Sequence, residues 1–174
     1  MMFSGILHSH MEQGGSVEEL IARLNRSLWD TMPKHTLISF LLGQLDISTG
    51  QMTLSDCGCP FPYHFQAARG TVVEIPLSSY PLGVERNLTP SVAEIRLSPG
   101  DYVVFCSDGI PEVTGEDGKQ FGYERTEETI TQACRDGMRA EQLIDRVLGE
   151  AVGIRKGQPL EDDMTCVVVR AMPS

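Results

Sequence analysis

The sequence predicts an α+β fold, with helices standing before and after a strand-rich centre rather than alternating with single strands. Three observations carry that prediction. Residues 16–32 repeat apolar side chains at helical spacing, and residues 35–106 break into short alternating or apolar runs punctuated by Gly, Pro and Asp. Residues 124–152 then return to the helical period ahead of a last apolar run at 164–169.

The elements follow in order. Residues 2–11 have a mixed apolar pattern that suits a helix ending at Gly14-Gly15. Ser16 and Glu19 form an S-x-x-E capping box, and Val17, Leu20, Ile21, Leu24 and Leu28 share one helical face until Pro33 stops it. Residues 35–46 and 51–57 read as a β-hairpin turning at 46–50, with shorter strands at 62–67, 71–75 and 92–97. Pro99-Gly100-Asp101 turns the chain into the apolar run 102–106, which reads as a buried strand. Residues 107–120 hold four Gly or Pro residues and no period, so they form a loop. Helices are predicted over 124–135 and 140–152, the second burying Leu143, Ile144, Val147, Leu148 and Ala151, and Met164 to Arg170 supplies the closing strand.

Composition bounds the function. The chain has 174 residues, 14 Lys+Arg against 24 Asp+Glu, and a net charge of −10. That length suits one domain, taken here as residues 1–174. The acid excess argues against nucleic acid or an anionic membrane as the main partner and favours divalent cations and basic protein surfaces. No apolar run reaches the ~18–20 residues that span a bilayer, so no membrane insertion is expected. The N-terminal residues lack the basic and unbroken apolar parts of a signal peptide. The five cysteines, Cys57, Cys59, Cys106, Cys134 and Cys166, include no C-x-x-C pair and read as reduced thiols of a cytoplasmic protein.

Two acidic spots flank apolar strands. Ser107-Asp108-Gly109 follows the run 102–106, and Glu161-Asp162-Asp163 precedes the strand at 164–169. Carboxylates at neighbouring strand ends are held by the sheet, reach solvent, and can converge on Mg²⁺ or Mn²⁺, which prefer oxygen ligands and keep several waters. Gly109 permits a sharp backbone turn beside Asp108. Residue types alone favour the plainer reading of two turns. Other chemistries lack their residues: no Cys has Arg six positions on, and there is no P-loop, H-E-x-x-H or G-x-S-x-G. His8, His10, His35 and His64 are too scattered to form a ligand set and read as structural or surface histidines.

The ordered set of motifs resembles the SpoIIE-like branch of the PPM-type (type-2C-like) metal-dependent serine/threonine phosphatases. The similar pieces are VEELIARLNRSL (17–28), LISFLLGQLDISTGQMTLSDCGCPFPYHF (37–65), YPLGV (80–84), LSPGDYVVFCSDGIPEVTGEDGKQFGYER (97–125) and LEDDMTCVVVR (160–170). This resemblance implies an α-β-β-α sandwich of two antiparallel sheets flanked by helices. It also implies that Asp108 and Asp162 are the catalytic metal ligands, with Gly109 and Asp163 completing the metal set and Thr165 supporting the strand end. Glu112 matches a recurrent acidic position to which no metal role attaches.

The implied activity is hydrolysis of phosphoserine and phosphothreonine in a regulatory phosphoprotein of the STAS-type anti-anti-sigma class. In the family, two Mn²⁺ or Mg²⁺ ions about 3.5–4 Å apart activate a water that attacks phosphorus directly. Two departures stand out. The family's leading Gly-Asp-x-x-Gly-x-Gly motif, whose Asp bridges both metals, is not in this sequence, so the domain is expected to be incomplete at its N-terminus. Cys59 stands where the family usually has an Ala-Gly-His-Pro-like run. With the bridging Asp missing, one metal or none is expected to bind, activity is expected to be weak or absent, and unpaired sheet edges invite self-association. The alternative is a catalytically degenerate phosphatase-like module that binds a phosphoprotein or regulator without cleaving it.

Overall fold

The structure, a computed structural model, describes residues 2–33, 36–157, 159–160 and 162–172. His35 and Glu161, both singled out in the sequence, lie outside the described residues. The elements run α1 (Met2–Met11), α2 (Val17–Thr31), β1 (Phe40–Asp46), β2 (Gln51–Cys57), β3 (Tyr63–Gln66), β4 (Thr71–Glu74), β5 (Ser91–Arg96), β6 (Tyr102–Cys106), α3 (Tyr123–Arg135), α4 (Ala140–Gly153) and β7 (Cys166–Arg170). This is an α+β fold with two antiparallel sheets and four helices among the described residues. The chain divides into two compact units, Met1–Cys59 with Pro76–Arg96, and Pro60–Ile75 with Leu97–Ser174.

In the first unit the strand order is β1-β2-β5. The capping box forms as the sequence predicts: Ser16 Oγ accepts the Glu19 N–H at 3.2 Å, and the Ser16 N–H donates to the Glu19 carboxylate at 3.1 Å. At the other end the Met32 N–H donates to the Leu28 carbonyl, and Pro33 allows no further turn. Val17, Ile21, Leu24 and Leu28 are buried in a core shared with Cys57 and Leu82, against which α1 packs Phe3, Ile6 and Leu7. The β1–β2 hairpin is closed by Asp46, whose Oδ1 accepts the Ser48 N–H at 2.8 Å, while Gly50 adopts the φ of 72° that the turn requires.

One polar residue is sealed inside this unit. Asn25 is fully buried on α2. Its amide donates to the Glu85 and Arg86 carbonyls at 2.9 and 3.1 Å, and its oxygen accepts the Gly83 N–H at 2.9 Å. Three hydrogen bonds therefore fasten the 83–86 loop to the helix, which is how a buried amide becomes tolerable.

In the second unit the order is β4-β3-β6-β7, all antiparallel, with β6 central and β7 at the edge. Tyr102, Val104, Ile130, Ala133, Leu143 and Val147 belong to its core. On α4, Leu143, Val147 and Ala151 are buried, Leu148 packs against the core while half-buried, and Ile144 is only half-buried. The strand β7 starts at Cys166 rather than at Met164, the start predicted from the sequence. The reason is Ser107. Its hydroxyl accepts the Thr165 N–H at 2.9 Å and donates to the Asp163 carbonyl at 3.2 Å, so a side chain takes over where the ladder would continue. Among the described residues no helix is long and apolar enough to cross a membrane.

Candidate metal centre

The antiparallel pairing of β6 and β7 decides where the two acidic spots fall. Cys106, the last residue of β6, lies opposite Cys166, the first residue of β7. Asp108 leaves this end of the sheet two residues after Cys106, and Asp162-Asp163 enter it just before Cys166. The two segments touch. A Cβ built on Gly109 would stand 3.6 Å from the Asp162 Cβ and would collide with the Asp163 carbonyl oxygen.

Gly109 is therefore needed for a different reason from the one its sequence position suggests. It is absent from the positive-φ glycines, so the turn does not require its conformational freedom. What it provides is the space for two backbones to approach. A side chain here would push the Asp162–Asp163 segment away from Asp108.

The two acids have the same local environment. Asp108 Oδ1 accepts the Gly109 N–H at 3.0 Å, and Asp162 Oδ1 accepts the Asp163 N–H at 2.7 Å. Asp108, Asp162 and Asp163 are all exposed. For Asp108 and Asp162, the second carboxylate oxygen has no hydrogen-bond partner among the described residues. The Glu112 N–H donates to the Asp108 carbonyl at 3.0 Å, which holds the turn, while its own side chain points to solvent. Asp162 and Asp163 also edge a cleft of about 510 Å³ whose other walls are Leu148, Val152, Leu160 and Met164.

The donor set matches one kind of ion. It is all oxygen, exposed, and anchored through the backbone, which suits a hydrated hard cation bound by one or two carboxylates. Among the described residues no group of three or more His, Cys, Asp or Glu could close around a metal. A tetrahedral zinc site is thus a poor match, and Mg²⁺ or Mn²⁺ retaining several waters is a good one.

Several other groups matter that the sequence did not mark. Burial pushes the Tyr123 hydroxyl above its usual range, aided by the negative charges of Glu112, Asp108 and Glu74. Tyr123 at the start of α3 thus lies within the field of Asp108 and Glu112. Asp101, which reads as a turn residue, is 4% exposed and accepts the Ala67 N–H at 2.8 Å and the Ser98 N–H at 2.9 Å. Its Oδ2 lies 3.2 Å from His64 Nε2, so His64 has a structural partner. Asp56 is 2% exposed and accepts the Cys59 and Gly58 N–H groups at 2.8 and 3.3 Å. Burial raises its carboxyl, against the pull of those two amides. His8 lies 3.5 Å from Glu12, and His10 Nε2 lies 2.8 Å from Ser27 Oγ, so each has a partner within the first unit.

Comparison with known proteins gives the family. A family profile described as Stage II sporulation protein E (SpoIIE) matches residues 1–172. The curated relative Protein IcfG of Synechocystis sp. is 22% identical over 131 residues, 75% of this chain and 20% of that protein. The SiaA-PP2C domain of Pseudomonas aeruginosa superposes with a TM-score of 0.82 at 17% identity, covering 97% of this chain and 67% of that one. The PP2C phosphatase domain of SpoIIE from Bacillus subtilis, solved with a fragment of its regulatory domain, gives a TM-score of 0.77 at 22% identity over 97% of this chain and 48% of that one. The catalytic domain of the serine/threonine protein phosphatase PstP, solved in complex with two manganese ions, gives 0.63 at 14% identity, covering 99% and 81%. The chain spans about half the length of the SpoIIE structure and a fifth of IcfG. With two antiparallel sheets and four helices among the described residues, and a profile match over nearly its whole length, the chain belongs to the Stage II sporulation protein E (SpoIIE) family, and its fold is that of the PP2C phosphatase domains it superposes on.

Proposed function

We propose that this chain takes part in signal transduction by removing phosphate from phosphoserine or phosphothreonine in a cytoplasmic regulatory protein of the STAS type. The reaction depends on a divalent cation held by Asp108 and Asp162, with Gly109 and Asp163 completing the site. The observation that carries this reading is the contact of Gly109 with Asp162 and Asp163, which joins two acids 54 positions apart in sequence at one end of one sheet.

Each residue has a derivable part. Asp108 and Asp162 each keep one oxygen on a backbone amide and present the other outward, which fixes the carboxylate plane without using up its charge. Ser107 ties the two segments together through Thr165 and Asp163, so they move as one. Leu148, Val152, Leu160 and Met164 offer an apolar wall beside the acids, on which an aliphatic side chain flanking the phosphorylated residue can rest. A bound Mn²⁺ or Mg²⁺ supplies Lewis acidity for water and neutralises phosphoryl charge. The acids themselves repel a phosphate dianion, so in the absence of a cation the site disfavours its substrate. The similarity to PstP, solved with manganese, supports the choice of ion. The similarity to PP2C phosphatase domains, the serine/threonine protein phosphatase PstP among them, supports a phosphoprotein as substrate.

A second reading is favoured by one observation. Among the described residues no group of three or more His, Cys, Asp or Glu could hold a metal ion, which favours a phosphoprotein-binding module that no longer cleaves. One experiment separates the two. The chain is incubated with a phosphoserine-bearing STAS-domain protein, with and without Mn²⁺, and both phosphate release and complex formation are followed. Mn²⁺-dependent release that disappears in Asp108→Asn and Asp162→Asn supports hydrolysis. Binding without release supports the module, and neither binding nor release overturns both.

A further inference from the structure

The β6–β7 ladder brings two thiols together at the same sheet end. Cys106 and Cys166 are direct partners in the register. The Ser107 N–H donates to the Thr165 carbonyl at 2.9 Å, which makes 107 and 165 a hydrogen-bonded pair. Antiparallel ladders alternate, so Cys106 and Cys166 form a non-hydrogen-bonded pair, the kind in which side chains stand closest. Directly opposed Cβ atoms in such pairs lie about 4.5–5.5 Å apart. A disulfide accepts Cα separations of about 4.4–6.8 Å and Cβ separations of about 3.5–4.5 Å, so the bond needs only a small inward shift of an edge strand. Cys106 is 7% exposed, whereas Cys166 lies on the edge strand and is partly open to solvent.

We propose that Cys106 and Cys166 are an oxidation site, closed to an intramolecular disulfide by hydroperoxides. The more open Cys166 sulfur attacks the terminal oxygen of the hydroperoxide. The O–O bond breaks, the thiol proton goes to the departing alkoxide, and an alcohol leaves Cys166 as a sulfenic acid. Cys106 then attacks that sulfur, the S–O bond breaks, and the hydroxide departs with the Cys106 proton as water. Two thiols are oxidised by two electrons, and one hydroperoxide is reduced to alcohol and water. The bond ties the sheet together two residues before Asp108 and three after Asp163, and so fixes the spacing of the segments that carry the acids. This inference stands on the ladder alone and does not depend on the phosphatase reading.

The other cysteines serve as internal controls. Cys134 is buried on α3, and Cys57 and Cys59 lie in the first unit. The test treats the folded, reduced full chain with a small excess of hydrogen peroxide, removes the peroxide, alkylates with N-ethylmaleimide in denaturant so that buried thiols react, and digests with trypsin without reductant. The expected product is residues 97–119 joined to residues 157–170, with two fewer alkylated cysteines per chain, reversed by dithiothreitol. Cys134→Ser should leave the joined peptides intact. Cys166→Ser should abolish them and leave Cys106 alkylated. The proposal fails if the thiol count does not change, if Cys166 goes on to sulfinic acid while Cys106 stays alkylatable, or if the only disulfide found joins Cys57 to Cys59 or links two chains.

Discussion

Two strands in this molecule end in nearly the same way and use their acids in opposite ways. The β2 strand ends Asp56-Cys57 and runs into Gly58, and the β6 strand ends at Cys106 and runs through Ser107 and Asp108 into Gly109. Asp56 lies inside its strand, is 2% exposed, and spends both carboxylate oxygens on the amides of Gly58 and Cys59. Asp108 lies beyond the ladder, is exposed, and holds one amide. Position relative to the last ladder pair, not residue type, separates an acid that builds the fold from one that is free to hold something else. Asp101 extends the first class, with two amides and His64 on its two oxygens, and Asp162 extends the second.

The largest effect should come from the open acids. Asp108→Asn and Asp162→Asn should each reduce Mn²⁺-dependent phosphate release by more than the roughly 10–100-fold typical of residues that merely orient a metal ligand. Each should shift the urea unfolding free energy by no more than about 0.5 kcal/mol, as exposed substitutions do. A large stability loss in either variant would blur the division between the two classes.

Next comes a purely structural loss. Asp101→Ala leaves the Ala67 and Ser98 amides and the buried His64 without their acceptor, and should lower stability by about 2–3 kcal/mol in urea melts. Asn25→Ala should cost about 2 kcal/mol by the same reasoning, because the Gly83 N–H and two carbonyls lose their partner. Its effect on Mn²⁺ binding should be small, since Asn25 lies in the first unit and the strand-end acids lie in the second.

The smallest effect is a pH dependence. Burial lifts the Asp56 carboxyl above its ordinary 3.8 in the folded chain. A raised folded value means that the fold prefers the protonated form. The stabilisation is complete below the unfolded value and is lost as pH rises through the folded one. Wild-type stability should therefore fall, relative to Asp56→Asn, as pH climbs above about 4. Urea midpoints measured across that range check the sign, and a wild type that gains stability relative to Asp56→Asn as pH rises would contradict it.

Much of the fold could be read from the sequence because its signals are local. The Ser16–Glu19 box, the Pro33 stop and the Asp46–Gly50 turn each set their own boundary with neighbouring residues, and all three form. What could not be read depends on contacts far apart along the chain. Pro99-Gly100-Asp101 looks like a surface turn, yet Asp101 is buried because Ala67 and His64 from another strand meet it there. The strand predicted from Met164 loses two residues to the Ser107 hydroxyl, 58 positions away from Thr165. Gly109 looks like a turn glycine and proves to be a spacing glycine, which only the neighbouring Asp163 carbonyl reveals. At the site, Asp108 and Asp162 could be picked out as strand-end acids by residue type, but whether they share a sheet end depended on the β6–β7 register, a long-range property.

The account rests on Asp108 and Asp162 gripping one cation jointly. The most direct measurement is a titration of the full chain with Mn²⁺ by electron paramagnetic resonance, where free ion gives the strong signal and bound ion the weak one. The account predicts saturable binding in the wild type and its loss in Asp108→Asn, in Asp162→Asn and in the double variant alike, because each acid alone is insufficient. Binding that persists unchanged in the double variant would contradict it.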